Sequence, residues 1–302
     1  MSNIISTKVK FVRNLKGIKF ETHINSIEQK QVLDLCLNAI NDCGMKCVSL
    51  TDMSEKVIDN LLARDLLEYE FVSSSDNKAC ANDGDVTIQV NNKNHIEVLA
   101  KAHNIYDAYS KAKNMDKKLC NKLHFAYSDK YGFLAPDIKN IGSGMSVEVK
   151  LILPAIAHIG ALNKLPTVSD KLIFGINCLD TQSGLCVIST KATLGYTEKQ
   201  ICEITQNYID KIVKLEIETC KNLSNESDDM EDKVCRAKAI LNYCIKLNEI
   251  EAYGLLGNIL IGINSGIEKD ITSDKINKSL NCIKLYKNNF NQLAKEIQKI
   301  LK

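Results

Sequence analysis

The chain has 302 residues, 45% hydrophobic and 25% charged, and its 39 lysines and arginines against 37 aspartates and glutamates leave a net charge of +2. That balance excludes wholesale disorder and a global field that would draw in nucleic acid or anionic lipid. No run approaches the roughly 20 apolar residues needed to cross a bilayer, and the first ten residues lack the apolar stretch of a signal peptide, so a cytoplasmic protein without a membrane partner is expected.

In chain order, Lys8-Val9-Lys10-Phe11-Val12 alternates polar and apolar residues as a strand with one wet face does. Lys8 and Lys10 share that wet face. Lysines protecting an edge strand explain them at least cost; an anion site is the other reading. Ser26 with Gln29 reads as a capping box opening a helix whose stripe is Val32, Cys36, Ala39, Ile40 and Cys43, stopped by Gly44. A second helix from Ser54 carries Val57, Leu61, Leu62 and Leu66. Strands follow at 85–90, 147–153 and 185–188, with helices at 104–124 and, opened by Pro154, at 154–162. Gly142-Ser143-Gly144 lacks the remaining residues of a phosphate-binding loop and reads as a turn.

From Thr197, which can cap a long helix, the pattern is helical throughout. Its buried stripe is expected at Ile201, Ile204, Tyr208, Ile212, Leu215 and Ile217, with a solvated break at 224–229 and a new helix from about Asp229. The lysine- and asparagine-rich segment 273–302 reads as a final helix extending partly from the body. The expected class is α+β, an antiparallel sheet flanked by helices over 1–220 with a smaller all-helical domain at 221–302. The twelve cysteines read as reduced, mostly buried small hydrophobes; Cys43 and Cys47 are the closest pair but lack partners for a metal site. The five histidines show no ligand spacing, so no metal is expected.

Several segments taken together resemble the bacterial protein-arginine kinases, relatives of the phosphagen (guanidino) kinases. The segment 6–17 looks like the S-S-R-I-R-L-A-R-N-L opening of that family, and 90–97 is similar to its I-N-E-E-D-H-x-R loop. The stretch from Tyr131 through Gly142-Ser143-Gly144 to Leu153-Pro154-Ala155 resembles its G-Y-L-T…N-V-G-T-G…L-P-A block, and later matches reach about residue 267. The resemblance implies an antiparallel sheet flanked by helices, then a smaller helical domain that often dimerises.

The departures are in the chemistry. Active members of the family grip ATP phosphates with arginine forks, which pair two-to-one with phosphate oxygens. This chain has only Arg13, Arg64 and Arg236. The resemblance places Lys8, Lys10, Glu97, Ser146 and Phe174 at the arginine positions, and Asn92 and Lys93 at the carboxylates that orient and deprotonate the guanidinium. A nucleotide-contacting histidine falls on Leu61 or Leu62, and a family cysteine on Asp137. A second family site, with the tail signature R-D-x-x-R-A, has no counterpart, since no arginine follows Arg236; Asp232 and Arg236 read instead as a helix ion pair.

The expectation is a pseudokinase with no cofactor, poor MgATP binding and a scaffolding role. The implied partners are a small zinc-binding activator-like adaptor, the Clp unfoldase system and a second copy of the chain. In a spore-forming lineage, a spore-associated setting is compatible with this role. Two alternatives stand beside it: an active phosphotransferase in which Asp137 or Glu148 replaces the lost carboxylate, and a non-catalytic small-ligand sensor.

Overall fold

In the computed structural model, which describes residues 3–73, 76–226, 229–286 and 288–302, the first alternating run becomes strand β1 (Ile4–Arg13). On one side of it lie β2 (Cys47–Ser49), β3 (Ala79–Asp83), β4 (Val86–Val90) and β5 (Ile96–Ala102). On the other lie β8 (Met145–Ile152), β9 (Val168–Ser169), β10 (Leu172–Asp180) and β11 (Leu185–Thr190), while β6 (Tyr127–Ser128) and β7 (Gly132–Phe133) form a separate small pair. The nine-stranded sheet runs β2-β3-β4-β5-β1-β8-β11-β10-β9, antiparallel throughout.

Because β1 is the fifth of nine strands, the edge-strand explanation of Lys8 and Lys10 is overturned. A central strand has no free hydrogen-bonding edge to protect. Its lysines are tolerated because the face they stand on is the floor of a polar cleft.

The opposite face is the dry one. Val9, Phe11, Ile88, Val98, Val147 and Val149 pack there with α1 (Ser26–Asp42), α4 (Ile105–Cys120) and α6 (Glu198–Glu226). The cleft face is closed at one end by Leu61, Leu66, Leu67 and Phe71, around α2 (Glu55–Ala63) and α3 (Tyr69–Val72), packed on Cys80 and Leu99. At the other end α7 (Asp229–Tyr243), α8 (Glu249–Ser265), α9 (Ser273–Cys282) and α10 (Phe290–Leu301) bury a second apolar cluster against Ile5, Ile152 and Leu185. The sheet with its helices and helical C-terminal region is the architecture expected.

Several local expectations are corrected. The first capping box is Asn25 with Glu28, one residue before the pair expected: Asn25 has the extended backbone a cap requires, and Ser26 is already helical. Leu66 lies beyond α2, and the helix begun by Pro154 (α5, Pro154–His158) ends four residues early. Thr197 does cap α6, reciprocally with Gln200. Leu215 is 45% exposed, and Ile209, Val213 and Cys220 share the buried stripe instead. Helix α6 continues to Glu226, into the expected break, of which Ser227 and Asp228 lie outside the described residues. The segment 273–302 is not an extension: it folds as α9, a 3-10 turn (Ile283–Tyr286) and α10, with Ile276, Leu280, Leu293, Ile297 and Leu301 buried.

Candidate functional site

Alternation along β1 puts Lys8 and Lys10 on the cleft face, and the sheet register sets their neighbours. Lys8 faces Lys101 on β5 and Glu148 on β8, while Lys10 faces Leu99 and Ser146, with Glu97 one pair further along. The structure therefore brings Lys8, Lys10, Glu97 and Ser146 onto one surface. Lys8 Nζ lies 3.0 Å from Glu148 Oε2, and Lys10 Nζ lies 3.3 Å from Glu97 Oε2 and 3.6 Å from Glu68.

Glu97 is almost fully buried. Besides Lys10, its carboxylate accepts hydrogen bonds from Asn92 Nδ2 at 3.2 Å and Asn94 Nδ2 at 2.9 Å, so it is satisfied inside the protein. The Glu97 charge, opposed by burial and helped by Glu68, raises the Lys10 pKa above its ordinary value. Burial works to raise the Glu148 pKa, but the Lys8 charge, the Lys8 hydrogen bond and the Lys10 charge together outweigh it and the carboxyl ends below its usual range.

The remaining expected positions are scattered. Asn92 stands beside Glu97 and also bonds Gln89, whereas Lys93 is exposed and pairs with Glu70 at 2.5 Å. Asp137 caps a 3-10 turn (Ile138–Asn140) in a surface loop and takes no part in the contacts of Lys8, Lys10 or Glu97. Phe174 is on the dry face, its ring stacked on Tyr208 at 4.1 Å. Leu61 is buried in the flanking apolar cluster, and Leu62 lines the cleft, a cavity of about 640 Å³ that also meets Glu68, Glu70 and Asn177.

Two family-like features are structural here. Arg13 is fully buried and grips Asp116 with two nitrogens at 2.8 and 2.9 Å, lies 3.6 Å over the Phe133 ring and donates to the carbonyls of Val12 and Ser143. The 142–144 loop wraps this guanidinium: a Cβ on Gly144, at φ +64°, would stand 2.5 Å from Arg13 Nη1. His95 is a satisfied core residue. Its Nδ1 accepts from the Leu15 N–H at 3.0 Å, so Nε2 donates to the Lys19 carbonyl at 2.8 Å, and burial lowers its pKa.

Sequence reasoning missed Glu68, Asp65, Lys101, Lys150 and Lys284, all in the cleft. Lys101 and Lys150 carry a signal, the wet positions of β5 and β8; Lys284 carries none, since it arrives from the C-terminal helices. Chemically, the floor offers ammonium groups already closed on carboxylates and a carboxylate already closed on three donors. A general base must reach the proton it takes, and Glu97 is buried with both of its oxygens already bonded to internal donors.

The sequence matches the family model described as ATP:guanido phosphotransferase, C-terminal catalytic domain, over residues 27–219. It is 27% identical over 295 residues to the protein-arginine kinase of Clostridium perfringens, covering 92% of this chain and 87% of that protein. With the protein-arginine kinase of Halothermothrix orenii it shares 26% identity over 282 residues, 89% of this chain and 80% of the other. The fold resembles lombricine kinase, with a TM-score of 0.59 and 17% identity over 75% of this chain and 69% of that one. It also resembles the substrate-free duplicated taurocyamine kinase of Schistosoma mansoni, with a TM-score of 0.60 and 16% identity over 78% of this chain, which spans only 37% of that longer protein.

Proposed function

Because the chain belongs to the ATP:guanido phosphotransferase family, we propose that it is a member without phosphoryl transfer, a pseudokinase acting as a scaffold or regulatory binding partner. The observation that carries this reading is the closure of Lys8 on Glu148 and of Lys10 on Glu97. A polyanionic nucleotide would have to separate these pairs and then meet Glu68, Glu97 and Glu148 at close range, where like charges in a partly dry cleft repel strongly.

Magnitudes point the same way. Losing one preorganised electrostatic donor costs about 10²–10³ in rate, and losing a positioned acid or base about 10²–10⁴. At the family's five arginine positions this chain carries Lys8, Lys10, Glu97, Ser146 and Phe174, and the carboxylate positions hold Asn92 and Lys93. Against the competing reading, a phosphotransferase with a substitute carboxylate, stand the pairing of Glu148 with Lys8 and the position of Asp137 in a surface loop.

The partner we propose is a small zinc-binding adaptor linked to a Clp-type unfoldase, with the C-terminal helices as the surface for a homodimer. The setting proposed is the cytoplasm; among the described residues no helix is long and apolar enough to cross a membrane. The test is isothermal titration with MgATP, followed by incubation with labelled ATP and an arginine-rich protein. Neither heat nor label is expected; saturable MgATP binding with label on arginine overturns the reading.

A further inference from the structure

Beside the Lys8 and Lys10 floor, three more lysines converge from three separate elements: Lys101 from β5, Lys150 from β8 and Lys284 from the 3-10 turn between α9 and α10. Among the described residues their ion pairs all go to one carboxylate, Asp65, at 3.8 Å for Lys101, 3.6 Å for Lys150 and in direct contact for Lys284. Asp65 holds a left-handed φ of +57°, uncommon outside glycine, at the point where the chain turns between α2 and α3. Two adjoining cavities, of about 370 and 230 Å³, share these four residues and Ser6.

The charges do not balance. The larger cavity is lined by four basic side chains, Arg64 and the three lysines, against Asp65 and Asp85, and Arg64 is already paired with Asp85. The lysine side chains are only 20%, 10% and 29% exposed, so water screens their mutual repulsion incompletely. Burial, which outweighs the pull of Asp65, lowers the pKa of Lys101 and brings that of Lys150 down to about 8. A cluster in this condition gains from an added anion.

We propose that Lys101, Lys150 and Lys284 bind a phosphate group, free or carried by a small metabolite, in the cavity between the sheet and the C-terminal helices. Three separate ammonium point charges approaching from different sides suit a tetrahedral oxyanion, whereas a planar carboxylate is better matched by an arginine fork. The larger cavity exceeds what phosphate alone requires, and Ile5, Leu280 and Leu285 give it an apolar wall for the body of an ester. Since Lys284 belongs to the C-terminal helices and the other two lysines to the sheet, the bound anion ties these regions together. This goes beyond the scaffold reading by supplying it with a ligand.

The test titrates the full chain with inorganic phosphate and, separately, with glycerol 3-phosphate, following heat and thermal midpoint in a chloride background. Saturable binding that raises the midpoint is expected, with affinity weakened at least about tenfold by Lys150→Gln and by Lys284→Gln and unchanged by Lys122→Gln on a distant surface. Tighter binding of the ester identifies a metabolite and equal binding identifies free phosphate; both support the site. Lys284→Gln alters a side chain on a turn that is more exposed than Lys150, 29% against 10%, so it remains informative if Lys150→Gln does not fold. Absence of saturable binding by both probes, or binding indifferent to Lys284→Gln, overturns the proposal. MgATP binding with transfer would overturn the pseudokinase reading alone, leaving this site to be judged by its lysine variants.

Discussion

Lys10 and Glu97, on neighbouring central strands, form an ion pair 3.3 Å long whose carboxylate is sealed from solvent by Asn92 and Asn94. Lys8 and Glu148 pair on the other side of β1 at 3.0 Å, with the carboxylate partly exposed. If these pairs refuse the nucleotide, neutralising both acids should release the lysines. The double change Glu97→Gln and Glu148→Gln is expected to improve MgATP affinity at least about tenfold over the parent protein, about 1.4 kcal/mol, with no gain of transfer because no base is supplied. Isothermal titration of both proteins checks this; equal affinities would show that the acids do not guard the site.

Arg13 is a family-like arginine whose partners are all internal. Removing one member of a buried, hydrogen-bonded ion pair leaves the other uncompensated and costs about 3–5 kcal/mol. Arg13→Ala leaves the buried Asp116 carboxylate with only Lys113, at 3.3 Å, and releases the 142–144 loop, so a loss toward the lower end of that range, about 3 kcal/mol, is expected in urea unfolding. Arg13→Lys should recover only part of it, because an ammonium cannot keep both contacts to Asp116 while reaching the Val12 and Ser143 carbonyls.

The periodic parts of this fold were legible because period-two and helical stripes are local. Val9 and Phe11 against Lys8 and Lys10 declare a two-faced strand whatever its neighbours are. Which strands flank it is decided by contacts with β5 and β8, far along the chain, so the local pattern does not separate a central strand from an edge. The same distance hid the site's partners. The family resemblance located Lys8, Lys10 and Glu97, but that Lys8 closes on Glu148 follows from cross-strand register, and that Lys284 joins Asp65 follows from packing across 219 residues of sequence separation. Phe174 was aligned with an arginine position, yet its strand turns it to the dry face, where Tyr208 stacks on it.

The last segment shows how composition can mislead. Its lysines and asparagines suggested a solvated extension, yet Leu293, Ala294, Ile297 and Leu301 lie at helical spacing and are buried against the C-terminal cluster. Ile297→Ala is therefore expected to cost about 2–5 kcal/mol, as a core truncation does, where a solvated helix would lose almost nothing. The urea midpoint distinguishes the two.

Glu216 sets the pH dependence of the junction between α5 and α6. It is fully buried, and its carboxylate accepts the backbone N–H groups of Ala155 at 2.7 Å and Ile156 at 2.9 Å, with no cation paired to it among the described residues. Burial pushes its pKa up from 4.5 to about 7, the two amides only partly offsetting it. A folded value above the unfolded one means that the contribution is complete below the unfolded pKa and is lost as pH rises through the folded one. Between pH 5 and 8 the loss reaches up to roughly 3 kcal/mol. His95 and His158, whose pKa values burial lowers, act in the opposite sense, and Asp65 and Glu148, held below their ordinary values, titrate at lower pH. The difference between the parent and Glu216→Gln isolates the one group, since glutamine keeps an acceptor for an amide and removes the titration. Relative to that variant, the parent should be more stable at pH 5 than at pH 8, read from urea midpoints at unit intervals; a difference independent of pH would place the Glu216 pKa at its ordinary value.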